Sequence, residues 1–268
     1  MSAVKEAHAQ GHAKRSLGQN FLVDPNTSRR IVKSLGIEQG DHVVEIGPGR
    51  GALTDILACS AADAVYALEK DRDLAPRLKA RHPALRIALI DALDAAWERL
   101  APAHRWKIIG NLPYNVASPI IWEVAHRAMA ASRCVFMVQK EVAQRLAASP
   151  GSKTYGALSV FVQSYVDVKL EFTVGPHVFR PRPKIDSAVV VFTRRESQVV
   201  DARALGAILS TCFQKRRKQL GSILKGVWSH ELEELFERRG LSPTMRPENL
   251  TTDDFQALAS VTNMRFRP

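Results

Sequence analysis

Asn111-Leu112-Pro113-Tyr114 follows a short apolar run, Lys107-Ile108-Ile109-Gly110, that reads as a buried strand. The tetrapeptide then stands at a strand's carboxyl end, where open α/β sheets place their ligands. An amide, a proline and an aromatic ring there suit the holding of a planar, electron-poor amino group, such as the exocyclic amine of adenine, while its nitrogen attacks a carbon. That nitrogen shares its lone pair with the ring and is a weak nucleophile. The Asn111 side-chain oxygen accepts one amino hydrogen, and a backbone carbonyl, that of Leu112, accepts the other. Pro113 restricts Leu112 to extended geometry and so sets the direction of that carbonyl. Acceptors outside the base plane draw the nitrogen toward a tetrahedral shape, which is preorganised electrostatics aimed at developing charge. Tyr114 adds a face on which a base stacks, worth roughly 1–3 kcal/mol. Alone, Asn-x-Pro-Tyr also fits a plain turn.

Upstream elements narrow the choice. His42-Val-Val-Glu-Ile46 reads as a strand, Gly47-Pro48-Gly49-Arg50-Gly51 as a tight turn, and Ala52 to Leu57 as the start of a helix. Strand, glycine turn and helix open a Rossmann-like unit. Glu69 ends the next strand, Ala64 to Leu68, where a carboxylate accepts from ribose hydroxyls. Gly47, Gly49 and Ala52 fit a nicotinamide fingerprint nearly as well. However, Gly51, Pro48 and Asp91, which ends a third strand over Arg86 to Ile90, favour another cofactor. Gly47, Glu69, Asp91 and Asn111 on successive strand ends match S-adenosylmethionine laid across the sheet, its methyl facing Asn111.

The chain resembles the ribosomal RNA adenine dimethyltransferases of the KsgA type, from about Lys14 to Asp254. The resemblance rests on Leu17-Gly-Gln-Asn-Phe-Leu22, Glu45-Ile-Gly-Pro-Gly-Arg-Gly-Ala-Leu-Thr54, Gly110-Asn-Leu-Pro-Tyr-Asn115, Val178-Phe-Arg-Pro-Arg-Pro-Lys-Ile-Asp-Ser187 and Phe213-Gln-Lys-Arg-Arg-Lys-Gln-Leu220. Ser16-Leu17 departs from the more basic or aromatic pair expected before Gly18. The resemblance implies cofactor contacts from Asn20, Leu22, Gly47, Glu69, Asp91 and Asn111, with Gln19 and Gly49 beside them. It also implies that Phe179 is a second wall for the flipped base, opposite Tyr114, since the base must leave its stack to react. The implied reaction is direct methyl transfer from S-adenosylmethionine to N6 of two adjacent adenosines near the 3′ end of 16S rRNA. It needs no metal, and the implied partner is the small ribosomal subunit or its precursor. A large-subunit rRNA adenine methyltransferase conferring antibiotic resistance shares this chemistry. A non-catalytic RNA-binding assembly factor and a nicotinamide dehydrogenase are the readings from other classes.

The chain has 268 residues, a formal net charge of +11 and 46% hydrophobic residues, which fits a globular protein with a polyanionic partner. Three scattered cysteines make neither a disulfide framework nor a zinc site. No apolar run reaches membrane-spanning length, and Met1 to Ala13 reads as a disordered tail of a cytoplasmic, monomeric protein.

These residues need positioning by an α/β domain over 14–195, a Rossmann-like methyltransferase fold with a mostly parallel seven-stranded sheet. The expected helices are Pro25–Leu35, Leu53–Cys59, Asp71–Arg81, Ser118–Ala130 and Glu141–Ala148. Arg133–Val138, Val166–Val174 and Ser187–Thr193 read as later strands, the last two forming an antiparallel hairpin at an edge. A small helical RNA-binding domain is expected over 196–268, with helices at Ala202–Phe213, Arg216–Leu224, Leu232–Arg239 and Asp253–Val261. Lys215, Arg216, Arg217 and Lys218 then place four charges within about one helical turn for phosphate contact. Arg180, Arg182 and Lys184 would edge the active-site mouth, with Lys14, Arg15, Arg29, Arg30 and Lys33 as a second basic margin.

Overall fold

The computed structural model describes residues 19–196 and 201–262. The expected tail, with Lys14, Arg15 and the Ser16-Leu17 pair, lies outside the described residues. The chain divides into two compact units. A sheet unit holds the described residues up to Ala143 together with Lys169–Arg194; a helical unit holds Gln144–Val168 and the described residues from Arg195. The chain thus passes between units three times, where the sequence reading drew one boundary, and segment 144–168 packs with the later helices.

The sheet unit opens with strand β1 (Phe21–Leu22) and helix α1 (Pro25–Leu35). Asp24 caps α1 by accepting from the Thr27 N–H at 2.7 Å, Pro25 pre-sets its first turn, and Gly36 ends it at φ 62°. Next come β2 (Asp41–Ile46), α2 (Thr54–Leu57), β3 (Ala64–Glu69), α3 (Ala75–Arg81) and β4 (Arg86–Leu89). They are followed by β5 (Arg105–Asn111), α4 (Ala117–Arg127), β6 (Ala131–Gln139) and α5 (Lys140–Leu146). After α6 (Ala157–Tyr165) of the helical unit, β7 (Val166–Val174), β8 (Phe179–Arg180) and β9 (Ser187–Arg194) complete the strands.

The large sheet has the order β4-β3-β2-β5-β6-β9-β7. β2 pairs in parallel with both β3 and β5, so the strand order reverses there, and the carboxyl ends of β2 and β5 frame a crevice. β9 runs antiparallel to β6. β9 and β7 are neighbours that close the sheet, as expected of that hairpin, with β7 at the edge and the antiparallel β9 just inside it. β1 and β8 form a separate antiparallel pair, with Leu22 opposite Phe179. Beneath it, Leu22, Ile31, Leu35, Val135, Met137, Phe179, Val189 and Val191 share one core that joins α1 to the sheet face.

In the helical unit, α6 is joined by α7 (Ala202–Gln214), α8 (Leu220–Leu224), α9 (His230–Arg239) and α10 (Thr252–Val261). Tyr155, Phe213 and Phe255 make a chain of ring contacts at 6.2 and 5.5 Å, and the Tyr155 hydroxyl donates to the Leu250 carbonyl. α8 begins at Leu220, and the expected helical start over Arg216 to Gln219 is a turn instead. Arg216 is the physical reason: its guanidinium bonds Glu248 at 2.7 Å and the carbonyls of Lys153 and Ser152. No described helix is long and apolar enough to cross a membrane.

Candidate active site

A cleft opens at the carboxyl ends of β2, β3, β4 and β5. Gln19, Asn20, Leu22, Gly47, Gly49, Glu69, Asp91, Asn111, Leu112, Pro113 and Tyr114 all line it. The sequence reading named each of these residues, and the fold brings them together from separate strand ends.

The glycine turn fits a close-lying ligand. Gly47 and Gly49 have φ of 63° and 57°, which side-chain-bearing residues rarely adopt. A Cβ on Gly49 would sit 3.2 Å from the Phe21 ring, so that glycine is also what lets β1 close over the turn. Glu69 organises the turn from below: Oε2 accepts from the Gly49 N–H at 3.0 Å and Oε1 from the Asp71 N–H at 2.7 Å. Burial pushes the Glu69 carboxyl up, with these N–H groups opposing the shift. Each oxygen keeps a lone pair for a hydroxyl donor.

Asp91 differs. Burial works to raise its carboxyl, but the Lys70 ammonium at 2.6 Å and the Leu93 N–H outweigh it and hold it below its ordinary value. It therefore stays ionised, as an acceptor for an amino group. Gln19 reaches the buried Asp71 at 3.1 Å, which ties the segment entering β1 to the end of β3.

Asn111 is oriented by its own amide. Its Nδ2 donates to the Asn20 carbonyl at 3.2 Å, so Oδ1 is the atom left to accept from a substrate. The Leu112 N–H is tied to the Met137 carbonyl at 3.1 Å, and Leu112 itself is buried. The Tyr114 hydroxyl lies 2.7 Å from the Ser187 Oγ, and burial pushes the phenol up so that it stays neutral.

Phe179 departs from expectation. Its ring is wholly buried in the core and does not line the cleft. The alternation of β8 explains this, because Phe179 points inward and Arg180 outward. In this packing Phe179 supports Leu22, its cross-strand partner, and offers no stacking face. Arg180, Arg182 and Lys184 are exposed, as are Lys215, Arg217 and Lys218, whereas Arg216 is committed to Glu248 within the helical unit. Arg29 bonds Asn26, and Arg30 lies 3.9 Å over the Phe172 ring.

Glu45 was missed as a site residue. It lines the cleft, is wholly buried, and accepts from Thr54 Oγ1 at 2.7 Å. Burial pushes it up to about 8, and Glu69 adds to the shift. Its sequence signal is an acid inside an apolar strand. Among the described residues no group of His, Cys, Asp or Glu is placed to hold a metal ion.

Among solved structures, the fold is similar to a dimethyladenosine transferase from Plasmodium falciparum, with a TM-score of 0.75 and 24% identity over 90% of this chain and 99% of that one. The 23S rRNA methyltransferase ErmE has a TM-score of 0.70 and 23% identity over 91% and 100%. In sequence, the chain is 50% identical over 248 residues to the ribosomal RNA small subunit methyltransferase A of Maridesulfovibrio salexigens, covering 92% of this chain and 94% of that one. It is 49% identical over 255 residues to the protein of the same name from Oleidesulfovibrio alaskensis, covering 93% and 91%. The family model for ribosomal RNA adenine dimethylase matches residues 10–263, a span that takes in the whole cleft, and the chain belongs to that family.

Proposed function

We propose that the protein dimethylates N6 of two adjacent adenosines near the 3′ end of small-subunit 16S rRNA, using S-adenosylmethionine, and acts during small-subunit biogenesis. The observation that carries this reading is the convergence of Glu69, Asp91 and an oriented Asn111 on one cleft. The two near-half-identical relatives, both named for the small subunit, favour that substrate over the large-subunit one. The likeness to ErmE is a likeness of fold.

The residues present fit the cofactor. The positive-φ glycines leave room for backbone approach, Glu69 would hold the ribose, and the ionised Asp91 would accept from the adenine amine. Gln19, Asn20 and Leu22 would cover the remaining side. When bound, the cofactor supplies an electrophilic methyl carbon. The protein's part is alignment and electrostatics. Asn111 Oδ1 accepts an amino hydrogen of the target, and the Leu112 carbonyl accepts the second. Tyr114 stacks on the base. The proton released from the alkylated amine needs no dedicated base. Exposed Arg180, Arg182, Lys184, Lys215, Arg217 and Lys218 supply cations for phosphate contact.

The test is mass spectrometry of nucleosides from undermethylated small-subunit particles incubated with the pure protein and S-adenosylmethionine. N6,N6-dimethyladenosine is expected in small-subunit rRNA. Its appearance only in large-subunit rRNA would overturn the reading.

A further inference from the structure

One cross-strand rung beside the cleft carries polar side chains that the scheme above leaves unused. Gln139, the last residue of β6, lies directly opposite Ser187, the first of β9. Opposed side chains on antiparallel strands leave the sheet on one face, with Cβ atoms about 4.5–5.5 Å apart. Alternation puts this rung on the face where Met137 and Val189 meet the core. Ser187 is fully buried, and its Oγ meets the Tyr114 hydroxyl at 2.7 Å. Gln139 therefore stands next to the contact that holds the stacking ring. It is half-buried, and its side-chain amide has no hydrogen-bond partner among the described residues. A half-buried amide with both donors and its acceptor open suits the edge of a planar, polar ring.

We infer that this rung is the base-side wall of the acceptor site: Ser187 positions the Tyr114 ring, and Gln139 donates a hydrogen bond to a ring nitrogen of the target adenine. The inference rests on the adenine-N6 reading. Its chemical basis is the double transfer. Each methyl addition replaces one N–H of the amine with N–C and releases one proton. After the first addition Asn111 and Leu112 share a single remaining amino hydrogen. The ring nitrogens stay acceptors throughout, so a donor to the ring keeps its grip in the second round when the amino contacts have weakened. Gln fits adenine in this way through its amide.

The experiment measures mono- and dimethyladenosine by mass spectrometry in undermethylated small-subunit particles, with KM and kcat for each round. Gln139→Ala and Gln139→Glu are expected to raise KM of the second round roughly 3- to 10-fold, the worth of one hydrogen bond, and to enrich the monomethyl product. Calorimetric affinity for S-adenosylmethionine should stay unchanged in both, which also reports that each variant folds. Ser187→Ala and Tyr114→Phe should lower kcat alike, and the double variant should lose no more than either alone. Wild-type KM and product ratio in both Gln139 variants would overturn the role of Gln139. Additive losses would overturn that of Ser187. If the wild-type protein itself makes no methyladenosine, the underlying reading fails instead.

Discussion

Two buried carboxylates stand four residues apart on β2 and behave oppositely. Asp41, at the amino end of the strand, is enclosed by cations: Lys107 Nζ lies 2.7 Å away and Arg105 3.0 Å. The Glu38 N–H also donates to it at 2.7 Å, and Lys107 donates to the Gly36 carbonyl as well. Burial works to raise the Asp41 carboxyl, but Lys107 and these contacts prevail and hold it low. Glu45, near the carboxyl end, is met by the Thr54 hydroxyl and backbone N–H rather than by a cation, and burial, with Glu69 and Asp55 adding to it, pushes it up to about 8. One end of the sheet is closed upon itself, and the other is left electrostatically incomplete. The lesson is that the same strands are stabilised at one end and made ready for a ligand at the other.

The largest effect should come from breaking the closed end. Asp41→Ala leaves the Lys107 ammonium buried without its carboxylate and should cost about 3–5 kcal/mol in urea unfolding. Replacing both Asp41 and Lys107 with apolar residues should recover most of that loss. Affinity of the folded protein for S-adenosylmethionine should be unchanged by either route. A large loss of that affinity would mean that the two ends are coupled and the contrast is false.

At the open end, Asn111→Ala should spare stability and remove turnover. Loss of a preorganised acceptor for developing charge is worth about 2.7–4 kcal/mol, or roughly 10²–10³-fold in kcat. Calorimetric affinity for S-adenosylmethionine should fall far less. Equal losses in kcat and affinity would make Asn111 mainly a cofactor-binding residue.

Glu69→Gln sharpens the contrast within the cleft. The amide keeps an acceptor but loses charge-assisted bonding to the ribose, which should weaken cofactor binding by about 1.5–3 kcal/mol. It also places a donor where the Gly49 and Asp71 N–H groups now point. Calorimetry checks the affinity, and a loss confined to kcat would remove Glu69 from the ribose site.

The open end was also the more legible one, because ligand sites at strand ends have residue-type signatures. Glu69, Asp91 and Asn111 each follow an apolar run, and all of them line one cleft. α1 was legible to the residue because Asp24, Pro25 and Gly36 mark both ends. α6 was not, because nearly every residue from Leu158 to Tyr165 is buried and no polar stripe shows a period. The turn at Lys215 to Lys218 was hidden for another reason. Its charges look like a solvated helix face, while Arg216 is drawn away by Glu248, thirty-two residues on. Phe179 shows the limit of motif reading: the basic residues around it mark an exposed loop, yet strand alternation turns its ring inward. The Asp41 network is equally invisible in sequence, since its cations, Arg105 and Lys107, come from a strand more than sixty residues further on.

The finest test of the contrast is the pH dependence of stability without cofactor. The Glu45 carboxyl ionises near 4.5 when the chain is unfolded and near 8 when it is folded. Between those values the folded protein holds a proton that the unfolded chain has released, so stability falls as pH rises. The slope contributed by this one group reaches about 1.4 kcal/mol per pH unit. Asp41 has the opposite sign: its folded value is depressed, so its contribution is present at neutral pH and is lost only in acid. Glu45→Gln keeps an acceptor for Thr54 and removes the titration. Its unfolding free energy, measured in urea at steps from pH 5 to pH 8, should gain on that of the wild type as pH rises. Parallel curves would show that Glu45 is already ionised in the folded protein, and the two carboxylates of β2 would then be alike.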